Sequence, residues 1–170
     1  MANTYTLISA QTLASSAASV TFSSIPATYT DLVLRVSART DQSGVSVSTI
    51  VTINGDTATN YSRIILQGNG SAASSSSSSS AANTRILTQG TTATASTFGN
   101  TEIYIPSYTV SQNKPFSSFV VTETNATATD MLAQAHLWRN TAAITSIVFS
   151  LSAGNFVSGS SFYLYGIKNS

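Results

Sequence analysis

The stretch DLVLRVSAR, residues 31–39, decides the fold class of this chain. Apolar residues occupy every second position, so one face of an extended chain would carry all of Leu32, Leu34, Val36 and Ala38. The opposite face would carry mainly Arg and Ser side chains. Alternation with a period of two is typical of a half-buried β-strand, because successive side chains of a strand point to opposite faces.

Comparable stretches, short and rich in β-branched and aromatic residues, occur along the whole sequence. They predict further strands at residues 5–8, 19–22, 45–53, 62–67, 84–87, 102–105, 116–123, 132–139, 144–151 and 162–168. Residues 132–139 also contain helix-favouring Ala, Leu and Gln, but we interpret the segment as a strand. No segment carries the apolar stripe of an amphipathic helix.

Many short strands without intervening helices predict an all-β fold, an antiparallel β-sandwich. The spacing between the strands is irregular and often long, which favours the jelly-roll type over an up-and-down meander. A length of 170 residues predicts a single domain over residues 1–170. Asn54 and Gly55 readily take positive φ angles and predict a hairpin turn after residues 45–53.

One segment interrupts the strand pattern. Residues 68–83 read GNGSAASSSSSSSAAN and contain seven consecutive serines at 74–80. Such a segment can bury almost no apolar surface, so we predict a low-complexity, Ser-rich surface loop inside the domain.

The composition excludes several function classes. Only 8% of the residues are charged, against about 25% in average globular proteins, and the net charge is +1. Clustered Lys and Arg are therefore lacking, and we predict no nucleic-acid partner. There is no Cys, which excludes a disulfide framework. We expect no membrane segment and no secretory signal, so the chain would be synthesised in a cytoplasm.

Candidate catalytic and metal-binding groups are few. The chain has one histidine, His136, and six acidic residues, and no G-x-S-x-G motif surrounds a serine. A Ser-His-Asp triad would have to include His136, which we interpret as structural. A zinc site would need three ligands from this small set. The sequence therefore predicts a protein that is not an enzyme and binds no metal or cofactor.

Three aromatic residues are the candidate binding residues: Trp138, Tyr163 and Tyr165. Tyr and Trp are enriched at interfaces because they bury a large area while keeping a polar tip. If Phe162 and Leu164 face the core, both tyrosines share the opposite face of the last strand. That face would be a subunit or capsid contact, or a platform on which a sugar stacks. Alternatively, the last strand is central and buried on both faces.

Three motifs carry a resemblance to a known family. They are SIPATYTDL at residues 24–32, NGDTATNYS at residues 54–62 and GSSFYLYGIK at residues 159–168. With this spacing the chain resembles small virion structural proteins of tailed bacteriophages. The resemblance implies a jelly-roll protein of the particle exterior, such as a head decoration or tail-fibre component. It brings no catalytic residues with it.

These expectations combine into a predicted function. The chain is predicted to be a non-enzymatic capsid decoration (cement) protein that binds the outer head surface and stabilises the shell. Its expected partners are further copies of itself, in a homo-oligomer such as a trimer, and the major capsid protein or another virion protein. The alternative is a tail-fibre or receptor-binding module that recognises a glycan of the host surface. A polysaccharide hydrolase is the least favoured reading.

Overall fold

The computed structural model describes residues 4–125 and 127–168, and within these residues it contains β-strands and no helix. The strands are antiparallel and form two packed sheets, so the predicted all-β antiparallel sandwich is confirmed. The twelve strands are β1 (Tyr5–Thr12), β2 (Ser19–Phe22), β3 (Asp31–Ala38), β4 (Ser46–Ile53), β5 (Tyr61–Gly68), β6 (Ala73–Ala81), β7 (Thr84–Gln89), β8 (Gly99–Ile105), β9 (Lys114–Glu123), β10 (Thr129–Trp138), β11 (Ile147–Leu151) and β12 (Ser161–Ile167).

The strand order identifies the sandwich as a jelly roll with two insertions. The larger sheet has eight strands in the order β1-β12-β3-β8-β9-β10-β5-β6, and the smaller has four in the order β2-β11-β4-β7. Without the paired insertions β5–β6 and β9–β10, each sheet has four strands and the chain crosses repeatedly between the sheets, as in a jelly roll. Both insertions join the larger sheet, which is therefore twice as wide as the smaller one.

The core lies between the two sheets. The alternating residues predicted for the 31–39 stretch face it, and Leu32 and Leu34 are completely buried. Phe149 of the smaller sheet packs against Phe162 of the larger sheet, with ring centroids 5.4 Å apart. Burial of each such side chain stabilises the fold by about 1.5 to 3 kcal/mol relative to an exposed one. Phe156 extends this aromatic cluster by an edge-to-face contact with Phe162.

The Ser-rich segment, residues 68–83, is largely a strand and not the predicted loop. β6 contains the seven serines and pairs with β5, which places it at the edge of the larger sheet. Asn69 accepts hydrogen bonds from the backbone N–H groups of Ser71 and Ala72, and this turn returns the chain along β5. Strand pairing uses backbone groups, so β6 needs no apolar side chains, and most of its residues are exposed, as predicted.

The NGDTATNYS motif joins the two sheets. Asn54 and Gly55 have φ angles of 52° and 67°, so the predicted turn is present. The strands on either side are β4 of the smaller sheet and β5 of the larger, so it is a crossover turn and not a hairpin. The hydroxyl of Tyr61 accepts a hydrogen bond from Ile53 N–H (2.9 Å) and is buried. Asp56 accepts hydrogen bonds from Asn60 and from Ala58 N–H.

The other two motifs pack against each other. Tyr29, in SIPATYTDL, lies directly over Gly166 of GSSFYLYGIK, and a Cβ added at Gly166 would overlap the tyrosine ring. Backbone pairing between Asp31 and Ile167 joins the same two segments. Both segments therefore serve the packing of β3 and β12.

We predict that Gly166→Ala lowers the free energy of unfolding by about 1 to 3 kcal/mol, because the methyl group overpacks the site under Tyr29. The matched control is Gly68→Ala, since a Cβ there meets no atom within 4 Å. Alanine is also the better residue in a strand, so this control should be neutral or slightly stabilising. Urea denaturation of both variants is the measurement. Equal stability of the two would contradict the packing described.

Candidate functional site: the outer face of the larger sheet

The outer face is the side of the eight-stranded sheet that points away from the smaller sheet. Two rows of outward side chains run across all eight strands, because the strand registers align them. The first row is Leu7, Tyr165, Val33, Tyr104, Ser117, Ala135, Ile64 and Ser77. The second row is Ala10, Tyr163, Arg35, Glu102, Phe119, Ala133, Leu66 and Ser75.

Large apolar side chains on this face are open to solvent. The exposed fractions are 57% for Ile64, 58% for Leu66 and 47% for Phe119. Tyr104 and Met131 are also exposed, and with these three they form what we name the apolar patch. Contiguous exposed apolar patches larger than a few hundred Å² are typical of protein interaction and ligand-binding surfaces, so the apolar patch is the candidate site.

The apolar patch borders a groove of about 420 Å³. Ala133 and Ala135 of β10 lie on its floor, where their small side chains leave space. Ile64 and Leu66 form one wall, on β5, while Tyr104 and Phe119 line the opposite side, on β8 and β9. The groove thus results from two alanines placed between larger residues of neighbouring strands.

Opposite charges are paired at the centre of the outer face. Arg35 of β3 and Glu102 of β8 face each other in the second row and form an ion pair of 2.6 Å. Both side chains are largely exposed, and surface pairs of this kind contribute about 0 to 1 kcal/mol. The pair leaves the outer face without a net charge at its centre.

Tyr163 and Tyr165, two of the sequence-predicted binding residues, lie on the outer face. Their rings stack with centroids 6.4 Å apart, and both side chains are half-buried. β12 is an interior strand of the sheet, between β1 and β3, but it is not buried on both faces, as the alternative interpretation required. The tyrosines are nevertheless part of the surface, at the opposite end of the rows from Ile64 and Leu66.

Trp138, the third predicted binding residue, is in the core and contacts no solvent. It ends β10 on the inward side, and its indole Nε1 donates a hydrogen bond to Asp56 Oδ2 (2.7 Å). Burial alone would raise the pKa of Asp56, but hydrogen bonds from Asn60, Trp138 and Ala58 lower it overall. Trp138 therefore has a structural role, and the prediction that it is a binding residue is corrected.

His136 is also buried, two residues before Trp138 on the same face of β10. Its Nδ1 lies 2.6 Å from the Thr84 hydroxyl and its Nε2 2.9 Å from the Ser118 hydroxyl. The ring stacks on Phe116. The Ser118 contact resembles half of a catalytic triad, but Nδ1 faces a hydroxyl where a triad has a carboxylate, and Ser118 is itself buried. Through these hydrogen bonds His136 of β10 connects Thr84 of β7, in the smaller sheet, with Ser118 of β9, in the larger sheet.

We predict that stability falls between about pH 6.5 and pH 4. Burial, and then the positive charge of Arg63, lower the pKa of His136 to about 4. Between these pH values the histidine of the unfolded chain binds a proton, whereas His136 of the folded protein stays neutral. The loss of stability therefore begins near the pKa of histidine in the unfolded chain and ends near the pKa of His136 in the folded protein. The difference corresponds to about 3 kcal/mol.

The measurement is urea denaturation at a series of pH values, on the original chain and on His136→Gln. The variant keeps a neutral hydrogen-bonding side chain but cannot titrate, so its stability should change much less over the same range. Asp41 and Asp56 have lowered pKa values and contribute in both proteins alike. An unchanged pH dependence in the variant would refute the assignment.

A Ser-x-x-Lys spacing also occurs, at Ser111 and Lys114, and the structure gives it a structural role. Lys114 is almost fully buried, and its ammonium donates to the carbonyls of Val110, Gln112 and Thr141. Burial lowers its pKa. All three N–H groups are used by carbonyls, which leaves none for Ser111.

Within residues 4–125 and 127–168, no three His, Asp or Glu side chains are grouped so that they could hold a metal ion. Nor does that part of the chain include a helix long and apolar enough to cross a bilayer.

The apolar patch was not among the sequence-predicted binding residues, although one signal points to it. Ile64, Ile65 and Leu66 are consecutive, so two of the three must share one face of the strand. Tyr61 fixes the choice, because its burial turns Arg63 and Ile65 inward and Ile64 and Leu66 outward.

Comparisons of the chain with models of protein families, with curated proteins and with solved structures find no match.

Proposed function

We propose that this chain is a non-enzymatic structural protein of a bacteriophage particle, and that it binds the outer surface of the head as a decoration protein. Three motifs that resemble small virion proteins of tailed bacteriophages support the proposal. The jelly-roll strand order agrees with that resemblance. The observation that carries it is the exposed apolar patch on the outer face.

The outer face is large enough for a stable contact. Strands lie about 4.8 Å apart and rise about 3.3 Å per residue, so eight strands of about eight residues cover on the order of 1,000 Å². A standard interface buries about 800 Å² on each partner. The face is apolar around the groove, neutral at its centre and polar at the serines of β6, an arrangement typical of an interface with a polar rim.

Such a contact stabilises the shell by mass action. A protein that binds the assembled shell, and not its separate subunits, adds its binding free energy to the assembled state alone. Neighbouring copies on the shell would meet as a homo-oligomer, for example a trimer around a junction of capsid subunits. The partners in this proposal are the major capsid protein and further copies of the chain, on the exterior of the virion.

The groove favours one alternative function. Tyr104 and Phe119 line it beside a floor of alanines, and aromatic rings beside a shallow apolar depression can stack on a sugar ring. The chain would then be a tail-fibre or receptor-binding module that recognises a glycan of the host surface.

The test is co-sedimentation of the purified chain with phage heads that lack it. The decoration function predicts saturable binding with a fixed number of copies per head. A glycan array probed with the same protein distinguishes the alternative, which predicts selective binding there. Absence of head binding together with selective glycan binding would replace the first function by the second.

A further inference from the structure

A second site lies between the layers, at the end where the larger sheet carries its inserted strands. β7 is the last strand of the smaller sheet, and β5 of the larger sheet is one of its neighbours across the core. A cavity of about 90 Å³ lies between these strands and β10. The polar residues that line this cavity are Arg63 of β5, Arg85 of β7, Gln134 of β10 and Ser48 of β4.

Two like charges meet at this cavity without an acidic group. Arg63 and Arg85 both line it, and none of the eight residues that line it in the described part of the chain is Asp or Glu. Arg63 makes no hydrogen bond or ion pair within residues 4–125 and 127–168. Burial, and then the charge of Arg85, lower the pKa of Arg63. An anion between the two guanidinium groups would remove this repulsion.

Gln134 supplies an independent observation. Its side chain is 5% exposed, and neither its amide nitrogen nor its amide oxygen has a hydrogen-bond partner among the described residues. Buried polar groups in folded proteins are nearly always hydrogen-bonded, and an unsatisfied one indicates a missing water, ion or ligand. Gln134 lines the same cavity as the two arginines, so its amide N–H groups are the available donors.

We propose that this cavity binds a small oxyanion, the carboxylate or phosphate group of a ligand, through Arg63 and Arg85 with Gln134 as a further donor. Guanidinium groups bind both kinds of oxyanion through paired N–H···O hydrogen bonds. The volume corresponds to about three water molecules, which is the size of one such group and excludes a sugar ring. The site is separate from the outer face and does not depend on the proposed function.

The test follows the arginine side-chain N–H resonances of the intact protein by NMR during titration with inorganic phosphate and, separately, with acetate. Sodium chloride keeps the ionic strength constant. We expect saturable shifts of Arg63 and Arg85 with at least one anion, and the anion that binds assigns the site to phosphate or to carboxylate ligands. The Arg85→Gln variant changes an exposed side chain. Its affinity for the anion should fall about tenfold.

The control is Arg35→Gln, which removes an arginine of the outer face and should leave the affinity unchanged. Non-saturable shifts with both anions in the original protein would overturn the proposal. So would an affinity that is equal in Arg85→Gln and in the original protein. Because the titration uses neither heads nor glycans, its failure would leave the proposed function untouched.

Discussion

Replacing Trp138 by alanine is expected to lower the free energy of unfolding by about 3 to 5 kcal/mol. The side chain is fully buried, so its removal leaves a cavity between the sheets. The same change removes the donor to Asp56, whose carboxylate keeps Asn60 and Ala58 as partners. Domains of this kind are stable by about 5 to 15 kcal/mol in total, so the loss is a large fraction. Urea denaturation measures it.

Two further variants separate the causes of this loss. Trp138→Phe keeps most of the buried area but not the Nε1 donor, so it should cost about 2 kcal/mol. Phe119→Ala removes an aromatic ring from the outer face, where half of it is already in water, and should cost less than about 1 kcal/mol. A larger loss for Phe119→Ala than for Trp138→Ala would contradict the assignment of core and surface.

Replacing both Leu66 and Phe119 by serine is expected to weaken binding to phage heads about 100-fold or more. Both side chains are exposed, and they lie in the same row on either side of Ala133. Apolar residues at the centre of an interface commonly contribute about 2 kcal/mol each, and 1.4 kcal/mol is tenfold in affinity. Serine already occupies outward positions of these rows, so the fold should tolerate it.

The matched control is Val110→Ser, which removes an exposed apolar side chain outside the two rows. Its affinity for heads should equal that of the original chain, and urea denaturation should show that both proteins remain folded. The assignment of the outer face fails if the double variant binds heads as tightly as the control.

The fold was largely predictable from the sequence because apolar and polar residues alternate regularly along the strands that form the core of the sandwich. Leu32 and Leu34 are buried where the pattern places them, and Phe162 and Leu164 face the core as assumed. β10 could be assigned against its helix-favouring residues because alternation outweighs intrinsic propensity when one face is buried. β6 was missed because it forms by backbone pairing with the free edge of β5. Backbone pairing leaves no pattern of apolar side chains from which a strand could be predicted.

The candidate site was less predictable. Phe119 is exposed and Trp138 is buried although both are aromatic residues of neighbouring strands, and only the register decides which side of each strand faces inward. The same holds for β5, where Arg63 points between the sheets while Ile64 and Leu66 point outward. Phe162 and Leu164 face the core, and Tyr163 and Tyr165 therefore lie on the opposite face of β12, as expected under that condition.

An image reconstruction of the intact virion tests the central claim most directly. The proposed function predicts density for this jelly roll on the exterior of the head, with the outer face of the larger sheet, and Phe119 and Leu66 in particular, turned toward the shell. Density for the chain on the tail alone, or on the head with this face directed to solvent, would contradict it.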